Sequence, residues 1–540
     1  MKKIFNLLLV GSSLLLFTAC DKYLDINDNP NAATSATPDL VLPAAITATS
    51  NASIGFSDYG SGSVGYTVNA GGFGGFGSFF TYNYTNSEFQ GLFTGSYANL
   101  RDYQYIFDQT KGKLNLSYSN SISRIMKSFV FERLVNTYNN VPYFEALKSS
   151  SNLTPKYDDA ATIYQDLVNQ LDTAILNINT AQALPKSSLD APTSVSTASD
   201  PMYGGDMDNW KRFANTLKLR LLIKMSGVTA LNTFVTQKFA SFNIVLGVIN
   251  DDAIVQPGYQ KIDGKQNPLW NAYGFTVVNV VSGLGRSRLP SRFTNTFYNG
   301  TKISDTRRGA VTYRGFPNSV VNQLGFEPPS GLLSAPTGAS VWYLGASASG
   351  ADALGILKGA TSGYPLLLAS EASFLLAEAN LKNFVSGSLA STLFRRGIEQ
   401  SFTYLFKNST NVLDASKSSA IIVTDVTGYI ADNVTNRLVN YSVATTNDQR
   451  LEAIITQKYI ALNLIGGFEA WNEFRRTGYP SIVNGSIVAT ESFASIRSTS
   501  TRPDRLPTRI LYAQDEIQKN KANVPSGIDQ FTSRIFWDLN

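Results

Sequence analysis

No histidine occurs anywhere in the 540 residues. That absence removes every mechanism built on an imidazole: a serine–histidine–aspartate triad, a histidine base, or zinc held by histidine. Cysteine is nearly absent too. Cys20 is the only one, so no intrachain disulfide can form and the fold must rest on its core. Charged residues make up only 16%, and the formal charge of +5 drops by two if Lys2 and Lys3 are removed. A balance so near neutral argues against nucleic acid or an anionic surface as partner. Beyond the N-terminus no run reaches the roughly 18 apolar residues of a membrane-spanning helix.

What the chain has in quantity is rings: 26 Tyr, 32 Phe and 5 Trp. They can build a core or stack on apolar and sugar faces. The N-terminus reads as an export signal. Lys2 and Lys3 precede an apolar run from Ile4 to Phe17, and Phe17-Thr18-Ala19 lead to the lone thiol. Small residues before a cysteine predict a lipoprotein signal peptide at 1–19, acylated at Cys20; the alternative is an ordinary cleavage near Ala19. Such a chain is anchored to a membrane and does not cross it.

Residues 21–60 hold enough Asn, Asp and Pro to predict an extended arm. Asp25, Asn27 and Asn29 mimic a calcium loop, but Pro30 stands where glycine is required. Gly72, Gly74 and Gly77 fit G-x-G-x-x-G, with neither a clear strand before them nor an acid about 20 residues on. No metal and no cofactor is therefore predicted. Residues 60–84 read instead as a glycine- and aromatic-rich loop.

Helical spacing dominates from there. Apolar stripes predict helices over 87–109, 121–137 and 158–178, the last capped by Asp158 or Asp159. Asp206 or Asp208 caps a helix through Trp210, Phe213, Leu217 and Leu221, with Lys211, Lys218, Arg220 and Lys224 on a basic outer face. The region 240–364 is irregular, and long irregular regions in compact proteins are usually functional. Helices return at 365–382, with Pro365 in the first turn, and at 388–405. The chain is organised around 447–480. Leu451, Ile454, Ile455, Tyr459, Leu462 and Ile465 form one buried face, Thr446 or Asn447 caps it, and left-handed Gly466 and Gly467 end it. A short helix follows, with Trp471 and Phe474 in the core and Arg475 paired to Glu469 or Glu473, stopped by Gly478 and Pro480.

Three stretches also resemble a known family: "QKYIALN…GFEAWNEFRRTGYP", "YGGD…WKRFANTLKLR" and "SEASFLLAEA". They are similar to signatures of the SusD/RagB-like nutrient-binding lipoproteins of the Bacteroidetes outer membrane. Shorter echoes are "NNVPYF", "NPLW", "SDTRRGA" and the tail "RLPTRILYAQDE…FWD". The resemblance implies a mostly α, SusD-like scaffold of about four tetratricopeptide-like helix pairs with a long loop-rich ligand-binding side. It implies one domain over 20–540: tether and aromatic loop 20–85, helix pairs 86–230, loop-rich region 231–364, helix pairs 365–480 and a C-terminal segment 481–540. It also implies a protein held on the outer membrane and facing the cell exterior. Such a protein captures oligosaccharide or peptide and delivers it to a SusC-like TonB-dependent transporter.

The other class weighed is a surface hydrolase using a carboxylate pair. Glu371 and Glu378 lie seven residues apart on one helix face, roughly 10 Å, but read better as structural carboxylates. A lid with little affinity of its own is a third reading. The helical aromatics are committed to core by spacing. The rings left to face a ligand are Tyr82 and Tyr84, Trp270 and Tyr273, and Trp342 and Tyr343, with Arg288 and Arg292 as donors. Trp270 and Tyr273 are the first choice; the competing reading is that Trp270 pins its loop to the scaffold.

Overall fold

The structure is a computed structural model describing residues 36–69, 77–318, 320, 323–325, 341–342 and 354–540. The signal at 1–19, Cys20, the first part of the tether, Gly72, Gly74 and Tyr343 lie outside the described residues.

The arm expected to be extended is, from Pro38 to Ser63, a 26-residue helix, α1. Its composition hides it. Serine, threonine and glycine normally favour turns because their polar groups compete for the backbone. Here the hydroxyls bond back along the helix, Thr49 Oγ1 to the Ala45 carbonyl at 3.0 Å and Ser53 Oγ to that of Thr49 at 2.7 Å. Pro38 occupies the first turn, where a missing N–H costs nothing.

Four helices then stack in succession: α2 (Gln90–Thr110), α3 (Ser117–Tyr138), α4 (Ala160–Gln182) and α5 (Met207–Met225). Asp159 and Asp206 cap α4 and α5. The short α6 (Asn232–Ala240) opens the loop-rich part, which contains α7 (Pro268–Tyr273). Three antiparallel two-stranded ribbons run through the described residues. They pair β1 (Thr67–Asn69) with β3 (Arg288–Pro290), β2 (Ala253–Val255) with β6 (Tyr364–Leu367), and β4 (Tyr313–Arg314) with β5 (Val341–Trp342). Pro365 thus belongs to a strand, and the next helix starts later, α8 (Ala369–Leu381). It packs on α5, on α9 (Ala390–Leu405) and on α11 (Asn447–Ala461). α10 (Ser419–Asp432), for which no stripe was read, packs on α9. The architecture is the expected mostly helical one.

Thr446 caps α11 with a complete capping box to Gln449. The residue that turns left-handed after it is Leu464, φ 63°, not a glycine. Gly466 and Gly467 serve close packing instead. They begin α12 (Gly467–Thr477), which crosses α1 so tightly that a Cβ on Gly60 would lie 2.3 Å from the Phe468 Cα. Trp471 and Phe474 are core as expected. Arg475 pairs with neither glutamate; it donates to the carbonyls of Asn136 and Thr508 at 2.8 and 2.9 Å.

Candidate functional site

The rings chosen from sequence do not stand free. Trp270, Tyr273, Tyr82, Tyr84 and Trp342 are all at most 3% exposed and belong to the main core. This corrects the expectation of rings presented by loops. An irregular backbone still gains by burying a large apolar ring, and these segments fold onto α1 to do so.

Several of the chosen residues do converge, on Asp58 of α1. The Tyr273 hydroxyl and Arg288 Nε each donate to Asp58 Oδ1 at 3.0 Å, and Arg288 Nη2 reaches Oδ2 at 3.3 Å. The Trp342 indole N–H donates to the Arg288 carbonyl at 2.9 Å, and the guanidinium lies over Phe79. Tyr82 accepts the Ser495 N–H at 3.0 Å, and Tyr84 packs edge-on to Phe79 and Phe89. Burial raises the Tyr273 and Tyr84 phenols well above their ordinary value, so both stay neutral. The assembly pins β3, β5 and α7 to α1. Arg292, one turn beyond β3, is exposed and has no ion pair among the described residues.

Trp270 packs so closely that a Cβ on Gly274 would come within 2.6 Å of its ring. Trp270→Ala is expected to cost about 3–5 kcal/mol by cavity formation and to lower the melting temperature while leaving ligand affinity intact. Affinity lost at an unchanged melting temperature would return this ring to the binding surface.

The carboxylates that tempted a catalytic reading lie in one buried ion network. Glu132 of α3 receives Arg220 Nε at 2.9 Å and Lys224 Nζ at 2.9 Å, both from α5. Arg220 Nη1 reaches Glu371 of α8 at 3.2 Å, and Lys224 reaches Glu469 of α12 at 2.8 Å. Lys458 of α11 bonds Glu473 at 3.2 Å, and Arg476 clasps Glu378 through two bonds of 2.7 Å. The side predicted to be a basic outer face of α5 therefore points inward: Lys218, Arg220 and Lys224 are at most 5% exposed. Burial alone would raise the Glu378 carboxyl, but Arg476 and Lys382 outweigh it and hold the group low, while Glu371 is raised by burial. A space of about 50 Å³ lies beside Glu132 and Glu371, room for water and not for a sugar. Glu371 Oε1 and both oxygens of Glu378 are engaged by cations.

Larger openings lie on the surface. One of about 430 Å³ lies between the end of α12 and the C-terminal segment, lined by Phe474, Arg502, Arg534 and Asn540. Another of about 310 Å³ lies across α2, α3 and α4 under the corner Tyr143–Lys148. Among the described residues no cluster of acids and thiols could hold a metal, and no helix is long and apolar enough to cross a membrane.

Comparison with known proteins places this geometry. A family model described as "Starch-binding associating with outer membrane", SusD-like, matches residues 30–506. No curated protein matches the sequence. A SusD-like protein from Bacteroides thetaiotaomicron superposes with TM-score 0.67 at 21% identity, over 93% of this chain and 99% of its own. A SusD homologue from Bacteroides fragilis gives 0.65 at 19%, with the same shares of each chain. A chitin-binding SusD homologue from Flavobacterium johnsoniae gives 0.65 at 21%, over 92% of this chain and 99% of its own. At these identities the likeness establishes the fold, and the match along 30–506 establishes the lineage: the chain belongs to the SusD-like family of nutrient-binding proteins associated with the outer membrane.

Proposed function

We propose that the protein is a lipoprotein, acylated at Cys20 and facing the cell exterior, that captures an oligosaccharide and hands it unaltered to a SusC-like TonB-dependent transporter. The observation that carries this reading is the family match over residues 30–506. Two similar structures described as chitin-binding support glycan over peptide. Non-catalytic capture is supported by the commitment of Glu371 and Glu378 to ion pairs. The receiving face is the loop-rich side around β3 and β5, with Arg292 as an exposed donor to ligand oxygens.

The test has three readouts. Cys20→Ala should release the protein from the outer-membrane fraction, and native protein in mild detergent should co-purify with a large β-barrel. Neutral chitin or starch oligosaccharides should bind without product forming. Arg292→Ala should weaken that binding at an unchanged melting temperature. Peptides bound in preference to glycans would move the ligand class, product formation would establish a hydrolase, and an absence of ligand binding would leave a gating lid.

A further inference from the structure

The groove across α2, α3 and α4 carries two cations that lack an anion. Arg124 and Lys127 lie one turn apart on α3, and each is 4.9 Å from the centre of the Phe107 ring. Neither forms an ion pair among the described residues. Arg124 Nη1 donates to the Gln170 amide oxygen and Lys127 Nζ to that of Gln104, both neutral acceptors. Arg124 Nε is buried without a partner. The nearby carboxylate of Asp166 accepts the Tyr143 hydroxyl at 2.6 Å and the Gln170 amide at 3.1 Å, both on Oδ2, and acts on the two cations only from beyond ion-pair distance. Both cations are half-buried and their charged forms are disfavoured by burial, which Asp166 and Asp108 only partly offset, so an anion entering here gains two charge-assisted donors.

The opposite lip is aromatic and held open. Asp158 accepts the N–H groups of Tyr143 and Phe144 at 2.8 and 2.9 Å, and Tyr97 Oη donates to the Pro142 carbonyl at 2.6 Å. Leu147 is held at φ 63°, a conformation disfavoured for a bulky residue. This pinned corner leaves the Phe144 ring 49% exposed, next to Tyr143 and edge-on to it at 4.8 Å between centroids. A carboxylate beside a flat C–H face would satisfy both lips at once.

We propose that this groove is a second glycan subsite, separate from the face around Arg292, that selects a uronic acid residue. Its carboxylate bonds Arg124 and Lys127, and its ring stacks on Phe144. The assignment of a sugar rests on the proposed capture of glycans; the charge selection rests on the groove alone. Burial lowers the Lys127 amine to about 8, reinforced by Arg124 and opposed by Asp108 and Asp166. Those groups, with Lys148 on the rim, are the charges around it. A bound carboxylate favours the charged amine, so affinity falls as pH rises past about 8.

The experiment is calorimetric titration of the mature chain with trigalacturonate and with a neutral trisaccharide, below and above that pH. Trigalacturonate should bind more tightly at the lower pH. Lys127→Met and Phe144→Ala should each weaken it about tenfold, with the fold kept, since one removes an unpaired cation and the other an exposed ring. Neutral-glycan binding, sensitive to Arg292→Ala, should not change in these two variants, which separates failure of this site from failure of glycan capture. Equal affinity for the two trisaccharides, retention of uronate binding in Lys127→Met, or preference for a peptide C-terminal carboxylate would overturn the proposal.

Discussion

Lys224→Met is expected to lower the unfolding free energy by about 3–5 kcal/mol at neutral pH. The ammonium group is wholly buried between Glu132 and Glu469, at 2.9 and 2.8 Å. Methionine fills a similar volume but leaves two carboxylates short of a counter-charge. The effect should depend on pH in a definite direction. Burial would raise the Glu469 carboxyl, but Lys224, Arg220 and Lys458 together hold it below its ordinary 4.5. Stabilisation from such a group is fully present above the unfolded value and is lost as pH falls through that value towards the folded one. The gap between native protein and variant should therefore narrow on acidification. Denaturant titrations across that range measure both numbers. A cost below about 1 kcal/mol at neutral pH, the scale of an exposed pair, would show that the network contributes little.

Gly467→Ala should be at least as damaging, about 3 kcal/mol or more, or should abolish soluble expression. Overpacking usually costs about 1–3 kcal/mol because side chains can turn aside. Here the added methyl would meet Ser61 Oγ at 2.2 Å, the Ser57 carbonyl at 2.7 Å and the Ser61 N–H at 2.7 Å. Two of those three are backbone atoms of α1, so relief requires the helices to separate. Gly466→Ala is the internal control, because the nearest atoms its methyl would meet belong to the Leu462 side chain, at 2.6 Å, rather than to backbone. Comparable melting temperatures for the two variants would refute the close crossing.

These two sites show what the sequence made legible. The three signatures that announced the family meet in the ion network: Arg220 from "YGGD…WKRFANTLKLR", Glu371 and Glu378 from "SEASFLLAEA", and Lys458, Glu469, Glu473 and Arg476 from "QKYIALN…GFEAWNEFRRTGYP". A charge inside a helix bundle needs a particular partner at a particular place, so it leaves a specific motif. Ligand contacts leave a weaker trace. The tryptophan of "NPLW" reads identically whether it faces a sugar or, as here, the scaffold; only the packing of Gly274 and Phe275 against it decides. Spacing was a poor guide to α1 because most of its buried positions are Ser, Thr and Gly, which dilute the stripe of Leu42, Ile46, Phe56 and Tyr59. The Arg124–Lys127 groove was missed for a related reason. Its parts come from three helices and a corner read only as the family echo "NNVPYF", and their arrangement exists only in three dimensions.

The crossing of α1 with α12 also bears on how the chain comes into being. Ser57 donates to the Leu464 carbonyl across 407 residues of sequence. Contacts of such range are slow to form, because the entropy of closing the intervening loop is spent before any contact repays it. α1 leaves the ribosome among the first segments and its partner among the last. Where it meets α12 it is lined by Ser57, Gly60 and Ser61, a strip with little apolar surface to drive aggregation in the meantime. The same small residues that let two backbones touch at the end therefore protect the growing chain while one of them waits.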